Sequence, residues 1–228
     1  MTTLSDIRSE VIRTVREESG RLSAPADYDR SINVALGRYS KHRPAIIVAD
    51  VAGNGTNDLS LPVGWISEFS TIEKVEYPIG QLPASELDND DYVIYQTPLG
   101  ERLRLTGVAP SSNENVRVTF TALRAVGAIP ANDLGVFILL AASFCCEELS
   151  NAYAYSSRPT IGADSVDYQS RSREFAARAR ALRQLYKDHM GLKDDDSSPP
   201  ASAVTDLDIG YPGGRDRLTH PRIGRERR

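Results

Sequence analysis

The chain has 228 residues, of which 40% are hydrophobic and 25% charged, a balance typical of a globular protein and not of a disordered or fibrous chain. Its 27 lysines and arginines against 31 acidic residues give a net charge of −4, which argues against a surface devoted entirely to binding nucleic acid. The two cysteines, Cys145 and Cys146, are neighbours, which excludes a disulfide-stapled secreted fold.

Two amphipathic helices are predicted at the start of the chain. The first is expected to stop at Gly20, and the second begins after Ser23-Ala24-Pro25 and cannot continue past Pro44. The short polar link between them predicts an αα-hairpin. The two apolar stripes are Leu4, Ile7, Val11, Ile12 and Val15, and then Tyr28, Ile32, Ala35, Leu36 and Tyr39.

From Pro44 onward the pattern changes to short strands, five or six in number. The last of them alternates strictly between apolar and polar residues, which is typical of an antiparallel sheet with one face in water. A turn at Thr97-Pro98-Leu99-Gly100 predicts a hairpin between 92–96 and 102–106. The alternating strand has Val116, Val118, Phe120 and Ala122 on one face and Arg117, Thr119 and Thr121 on the other, and the remaining strands are predicted at 45–49, 59–61 and 72–77.

Helical periodicity then returns, with Asn132 or Asp133 as a candidate N-cap. The segment 134–146 is apolar nearly all round, which is typical of a helix at the centre of a bundle or at a subunit contact. After an interruption at Ser157-Arg158-Pro159, a last helix is predicted from near Asp164 to residue 190. Its apolar stripe is Phe175, Ala179, Leu182 and Tyr186, and its other faces carry Arg171, Arg173, Arg178, Arg180 and Arg183.

The final segment, 193–228, has too few apolar side chains to offset the entropy cost of ordering by itself. Its charges are polarised, because 193–208 carries a net −4 and 209–228 a net +4. We therefore expect an α+β fold with three parts. These are a helical bundle of residues 1–44 and 124–192, an antiparallel β-domain inserted at 45–123, and an extended C-terminal arm at 193–228.

No targeting or membrane-spanning segment is predicted. The N-terminus lacks a basic segment followed by an apolar stretch, so we expect no signal peptide. The longest apolar run, Val136–Cys146, is about half as long as the ~20 residues that cross a bilayer. The sequence thus predicts an intracellular soluble protein without membrane contact.

The residues that usually carry chemistry form no catalytic constellation in this sequence. His42, His189 and His220 lie in three separate elements without metal-ligand spacing, so each is expected at the solvated surface. The adjacent cysteines lie in the apolar helix, where burial raises thiol pKa and makes them inert. The acidic clusters form no metal or catalytic site either. Asp88-Asn89-Asp90-Asp91 lacks the glycine and glutamate of a calcium loop, so a solvated turn is expected there. The adjacent Glu147 and Glu148 point about 100° apart on a helix.

The arginines of the last helix have two interpretations. They can contact phosphate, or they can form the solvated face of an amphipathic helix, which is the commoner outcome. Only Arg215–Arg228 is basic enough to attract polyanions, and no recognisable nucleic-acid-binding motif accompanies it. We therefore predict a non-enzyme that has no cofactor and no metal site.

Several stretches, in the order helix pair, β insertion, apolar helix, long helix and tail, form a recognisable pattern over most of residues 1–190. They are Asp29–Leu36 with Arg38-Tyr39-Ser40 and Arg43-Pro44, Leu59-Ser60-Leu61-Pro62 with Trp65, Ile72–Pro78, and Ile129-Pro130 before Asp133-Leu134. In these stretches and their order, the chain resembles the head–tail adaptor (connector, or head-completion) proteins of tailed bacteriophages and prophages.

This resemblance implies a structural protein of the virion neck, assembled in the host cytoplasm. Adaptors form a homo-oligomeric ring of about twelve subunits beneath the portal protein. The ring extends the channel through which DNA passes during ejection, without binding it specifically. It also offers an attachment surface to a tail terminator, stopper or tail-tube protein.

In several adaptors the C-terminal arm runs onto the portal, and the residues of this arm are compatible with that role. Three apolar residues alternate with polar ones, a pattern suited to adding a strand to a partner's sheet. Three arginines that follow are suited to pairing with acidic portal groups. The expected portal-docking residues are therefore Leu207, Ile209, Tyr211, Arg215, Arg217 and Arg222.

Two other interpretations stay open. The first is a different neck or tail-completion protein, such as a stopper, with the same kind of α+β core. The second is a DNA-binding accessory module that uses Arg171–Arg183 and the basic end of the chain.

Overall fold

The computed structural model describes residues 2–155 and 168–193, and in the second stretch it describes side chains from residue 171 onward. Within these residues the fold is α+β, as predicted. The predicted interruption at 157–159 and the arm from residue 194 onward lie outside the described residues. The helices are α1 (Leu4–Val15), α2 (Ala26–His42), α3 (Ala131–Ala154) and α4 (Tyr168–Met190), with a short 3-10 helix at Val126–Ala128. The strands are β1 (Ala45–Ala52), β2 (Asp58–Leu59), β3 (Ile72–Glu76), β4 (Tyr92–Thr97), β5 (Gly100–Leu105) and β6 (Asn115–Ala122).

Local hydrogen bonds set both ends of α1. Thr3 forms a capping box in which its side chain accepts from the N–H of Asp6 while the Asp6 carboxylate accepts from the N–H of Thr3 at 2.9 Å. At the other end Arg16 adopts a left-handed conformation, with φ of 50°, and donates its N–H to Ile12 at 3.0 Å. The helix therefore ends at Val15, well before the predicted stop at Gly20.

The four helices form a bundle with α3 at its centre, where it packs against α1, α2 and α4. This central position explains why α3 is apolar nearly all round, as the sequence predicted. The predicted stripes of the other helices face it, except that Ile12 is 38% exposed. The buried residues of this core are Ile7, Val11, Val15, Tyr28, Ile32, Ala35, Tyr39, Phe137, Leu140, Ala141, Ala142, Cys145, Cys146, Leu149, Tyr153, Ala179 and Tyr186.

The β insertion between α2 and α3 contains two three-stranded antiparallel sheets instead of the single sheet that the strand pattern suggested. The strand order is β1-β6-β3 in one sheet and β2-β5-β4 in the other. The two sheets share a second hydrophobic core, distinct from that of the bundle. Its buried residues are Val51, Leu59, Val75, Leu103, Leu105, Val116, Val118, Phe120 and Ala122.

β6 is the central strand of its sheet and pairs with β1 along its whole length, from Ala45 opposite Ala122 to Ala52 opposite Asn115. The predicted apolar face of β6 is buried, as the alternation indicated. On the other face Thr121 is also buried, because Thr71 covers it through a hydroxyl–hydroxyl contact of 3.1 Å. The predicted hairpin is also present, with Thr97 opposite Gly100.

Candidate functional site: a polar junction and an exposed apolar surface

The six predicted portal-docking residues all lie outside the described residues. They are Leu207, Ile209, Tyr211, Arg215, Arg217 and Arg222. The functional surfaces that the structure describes therefore belong to the bundle and to the β insertion.

A buried carboxylate, Asp133, holds the start of α3 against its neighbours. Its side chain is 1% exposed and accepts hydrogen bonds from the Tyr39 hydroxyl at 2.5 Å and from the Arg43 guanidinium. His189 on α4 contacts its other oxygen at 3.2 Å. Asp133 therefore joins residues from α2, α3 and α4 in a polar junction. Its members are Tyr39, His42, Arg43, Asp133, Tyr186 and His189. Asp133 was expected as a possible N-cap, but Pro130 occupies that position and Asp133 lies inside the first turn of the helix.

The electrostatics of Asp133 follow from these partners. Burial by itself would raise the pKa of Asp133, but the hydrogen bonds from Tyr39, Arg43 and His189 outweigh it and hold the pKa at about 2. Its position in the first turn of α3 also favours the anion, because the helix dipole is positive at that end. Burial, followed by the hydrogen bond to Asp133, raises the pKa of Tyr39 to about 12. The carboxylate is thus charged, and Tyr39 is neutral, over the ordinary pH range.

Two histidines belong to this polar junction. His189 is exposed, as expected, whereas His42 is not, which corrects the expectation that His42 lies at the solvated surface. His42 is partly buried, and its Nδ1 lies 2.7 Å from the hydroxyl of Tyr186 on α4. Burial, and then the nearby positive charges of Arg38, Lys187 and Lys41, lower the pKa of His42. The other histidine is His189, which contacts Asp133. Sequence spacing gave no signal for this cluster, since its members come from helices far apart along the chain.

Arg124 ties the bundle to the β insertion. Its side chain donates to the main-chain carbonyls of Arg43 at 2.6 Å, Pro44 at 3.1 Å and Ala128 at 3.0 Å. Its own N–H donates to the Ser40 hydroxyl at 3.1 Å. These bonds connect the chain entering the insertion to the chain leaving it. The polar junction and Arg124 together fix the insertion against the ends of α2 and α3.

Two arginines of α4, Arg178 and Arg183, are engaged within the chain. Arg178 donates to the main-chain carbonyl of Val15 at 2.9 Å, and Arg183 pairs with Glu147 while its guanidinium lies 4.9 Å from the ring centroid of Phe144. Neither guanidinium is therefore a free phosphate ligand. The neighbouring acid, Glu148, pairs with Arg30 of α2, so the two adjacent glutamates point to different helices, as predicted.

Cys145 and Cys146 are fully buried in the bundle core. Burial raises the pKa of the Cys145 thiol to about 12 and that of Cys146 to about 11. Both are therefore neutral thiols at physiological pH, which confirms the prediction of an apolar setting that disfavours the thiolate.

Within residues 2–155 and 168–193, no group of three or more histidine, cysteine or acidic side chains is arranged to hold a metal ion. Across the same ranges, the helices are too short or too polar to cross a membrane. The Asp88–Asp91 segment forms a turn, in which Asp91 donates its N–H to the carbonyl of Asp88 at 2.8 Å. That turn agrees with the prediction made from its sequence.

The β insertion carries most of the exposed apolar surface in the described part of the chain. Ten of the fourteen exposed large hydrophobic residues belong to residues 45–123, although the bundle supplies more residues in total. Exposed apolar residues that are grouped, as Ile46, Ile47 and Val48 are along β1, commonly mark a protein contact. The ten residues are Ile46, Ile47, Val48, Val63, Ile66, Leu82, Val93, Tyr95, Leu99 and Leu123.

No protein-family model and no curated protein matches this sequence. Among solved structures, one similar chain belongs to the virion of a native gene transfer agent (GTA) particle, with 14% identity, a TM-score of 0.29, and coverage of 76% of this chain and 88% of that chain. A chain in the neck of the native GTA particle computed with C12 symmetry has 12% identity, a TM-score of 0.26, and coverage of 76% and 92%.

A third similar chain belongs to the neck of the empty GTA particle computed with C6 symmetry. It has 12% identity and a TM-score of 0.27, and the match covers 74% of this chain and 87% of that chain. TM-scores and identities this low do not establish a shared fold or function.

Proposed function

We propose that this protein is a structural component of a virion neck, and more specifically a head–tail adaptor that forms a ring beneath the portal. In this role its subunits extend the DNA channel and connect the capsid to the tail. The main support is the exposed apolar surface of the β insertion, which suits contact with other proteins. The insertion also has unpaired strand edges that other proteins can contact. The resemblance of several sequence stretches to adaptor proteins supplies the particular role.

The division of labour along the chain is part of the proposal. Residues 1–44 and 124–192 form the bundle, 45–123 form the inserted domain, and 193–228 form the arm. The bundle has a core of its own, centred on α3, so it can act as a rigid support for the insertion. The polar junction and Arg124 hold the insertion in a fixed orientation, which a subunit of a closed ring requires.

The arm is proposed to dock on the portal protein. Its alternating segment around Ile209 and Tyr211 adds a strand to a portal sheet, and Arg215, Arg217 and Arg222 pair with acidic portal groups. The opposite end of the ring then offers its surface to a stopper, terminator or tail-tube protein. DNA passes through the channel without specific binding, consistent with the net charge of −4 on each chain.

A DNA-binding role for the arginines of α4 has less support. Arg178 and Arg183 are committed to partners within the chain, and Arg180 donates to the carbonyl of Ala176 at 3.3 Å. A helix whose guanidiniums are held in this way neutralises few phosphates, so its affinity for duplex DNA should be weak even at low salt.

Electron microscopy of the purified chain mixed with purified portal protein tests the proposal. We expect rings stacked on portal complexes, and we expect a chain lacking residues 194–228 to lose portal attachment while keeping its fold. A chain that never engages portal, with or without the arm, would contradict the adaptor role. Loss of portal binding in the truncated chain, together with retained binding to a tail protein, would separate an adaptor from a stopper.

A further inference from the structure

β1 is an edge strand with one side unpaired. Gly53 donates its N–H to the main-chain carbonyl of Glu114 at 2.8 Å, immediately beyond the last β1–β6 pair. In an antiparallel ladder every second residue bonds to the partner strand, so the alternate residues of β1 direct their N–H and C=O groups away from β6. Those residues are Ile46, Val48, Asp50 and Ala52.

The side chains along this edge are apolar at its start. Ile46 is 66% exposed and Val48 is 57% exposed, while Ile47 between them is 37% exposed on the other face. Natural edge strands are usually protected by charge, proline, a bulge or a covering segment. The first half of β1 has none of these in the described part of the chain. An exposed apolar edge of this kind is suited to accept a strand from another molecule.

The opposite edge of the same sheet is protected. Residues 85–87 lie along β3, where Tyr77 donates its N–H to Ser85 at 2.9 Å and Leu87 donates to Val75 at 2.8 Å. A salt bridge from Lys74 to Glu86, at 2.8 Å, reinforces this cover. The insertion therefore closes one edge of the sheet and leaves the β1 edge open.

The second sheet has its own open edge at β4, which pairs on one side with β5. Thr106 donates its N–H to the main-chain carbonyl of Asp91 at 2.7 Å. This bond shows which residues of β4 direct their main-chain groups toward β5 and which direct them away. Along β4, Val93 is 50% exposed and Tyr95 is 41% exposed. The residues of β4 that direct their main-chain groups away from β5 are Tyr92, Ile94 and Gln96.

The two open edges lie on opposite sides of the insertion. β1 leads into β2 through residues 53–57, which keeps those two strands on one side. The segment that covers β3 leads through residues 88–91 into β4, which keeps β3 and β4 on the other side. The central strands β6 and β5 lie between them. Edges that face opposite ways suit a head-to-tail contact between identical subunits.

We infer that β1 of one copy pairs with β4 of the next copy, so that the sheets continue from subunit to subunit around the assembly. This inference rests on the proposed ring and names the surfaces that close it. It is a heterologous contact, in which each subunit uses two different edges, and repeating it generates a ring where the rotation between subunits closes. The exposed pair Ile46 and Val48 would then lie beside Val93 and Tyr95 of the neighbour.

Charges at the strand ends favour a parallel orientation of the two strands. A parallel pairing brings the basic start of β1 beside the acidic turn that precedes β4, whereas an antiparallel one places that turn near Asp50 and Glu114. The first arrangement brings opposite charges together, with Arg43 also paired with Asp133, and the second brings like charges together, with Asp50 also paired with Arg117. The basic residues beside the start of β1 are Lys41, Arg43 and Arg124, and the acidic residues before β4 are Asp88, Asp90 and Asp91.

Proline substitutions test this pairing without breaking the sheets. Val48→Pro removes an N–H that points away from β6, and Gln96→Pro removes one that points away from β5, so each blocks one open edge. Val48→Lys and Val93→Lys are second variants that keep the main chain intact. Val34→Lys, on α2 at a position that is 50% exposed and outside the insertion, is the matched control. Thermal melting verifies that each full-length variant is folded.

Sedimentation velocity over a concentration series supplies the readout. We expect the wild type and Val34→Lys to self-associate, and each edge variant alone to lose association. An equimolar mixture of Val48→Pro and Gln96→Pro should form a dimer and nothing larger, because each chain contributes the one edge that the other lacks. That complementation is expected only of a β1–β4 contact.

The contrary outcomes are equally distinct. Association of the Val48→Pro variant at wild-type strength would overturn the inference while leaving an adaptor ring formed through other surfaces intact. Loss of association in Val48→Pro but not in Gln96→Pro would show that β1 pairs with another β1, which also overturns it. A wild-type chain that stays monomeric throughout the series would overturn it as well. If that monomer also failed to bind portal protein, both the inference and the proposed function would be wrong.

Discussion

The hydroxyl of Tyr39 donates to the carboxylate of Asp133 at 2.5 Å across the contact between α2 and α3, inside the bundle. Tyr39 also packs edge-on against Phe137, with ring centroids 5.7 Å apart. A single α2 residue thus contributes both to the apolar core and to the polar junction. The polar junction therefore contributes to the stability of the bundle as well as to its attachment to the insertion.

Asp133→Asn should lower the free energy of unfolding by about 3 kcal/mol, because it leaves buried hydrogen-bond donors and the Arg43 charge without their anion. Urea denaturation at pH 7 measures this. Asp50→Asn is the matched control, since Asp50 forms a half-exposed pair with Arg117. Its loss should cost less than about 1 kcal/mol. Equal losses in the two variants would contradict the central role of Asp133.

The same carboxylate makes the protein sensitive to acid. Its pKa is about 2 in the folded chain and ordinary in the unfolded chain, so the unfolded state binds a proton first as the pH falls. The stabilisation is complete above about pH 4 and is lost between about pH 4 and pH 2. Across this range the melting temperature should fall more steeply with decreasing pH for the wild type than for Asp133→Asn. Equal slopes for the two proteins would show that Asp133 is not the group responsible.

His42 predicts a second pH dependence in a higher range. Burial and nearby cations lower its pKa in the folded state, so folding favours the neutral imidazole. Its contribution is complete above the ordinary histidine pKa and decreases as the pH falls below about 6.5. His42→Asn should reduce the slope of unfolding free energy against pH between about 6.5 and 5. An unchanged slope would show that other groups cause it.

The buried thiols should resist modification in the native protein. Because burial raises the pKa of Cys145 to about 12 and of Cys146 to about 11, little thiolate forms at pH 8 and a reagent cannot reach it. We expect a colorimetric thiol reagent to react slowly with the folded chain. After denaturation the same reagent should react readily with both cysteines. Rapid reaction of one thiol under native conditions would mean that α3 is accessible.

Phe137 is the clearest test of the bundle core. Phe137→Ala should cost about 3–5 kcal/mol, because it opens a cavity in the middle of α3 and removes the ring contact with Tyr39. Val63→Ala, at a side chain that is 95% exposed, should change stability by less than about 0.5 kcal/mol. Urea titration of both variants gives the comparison. A small effect at Phe137 would place the core elsewhere.

The sequence predicted those parts of the fold that depend on local periodicity. Apart from the exposed Ile12, the stripes of α1, α2 and α4, the apolar α3 and the alternation of β6 appear as expected. Local patterns do not determine which strands pair, so the division into two sheets was missed. The polar junction was missed for the same reason, because Asp133 meets His189, and His42 meets Tyr186, only once the helices have packed.

The arm yields the last prediction, which separates docking from folding. Replacing both Ile209 and Tyr211 with Asp should weaken attachment to portal protein, since charges on the apolar face of an added strand are costly to bury. The melting temperature of the folded core should stay at the wild-type value, because the bundle and the insertion each have a core without the arm. Pull-down with purified portal and calorimetry measure the two effects. A matching fall in melting temperature would instead show that the segment packs on its own chain.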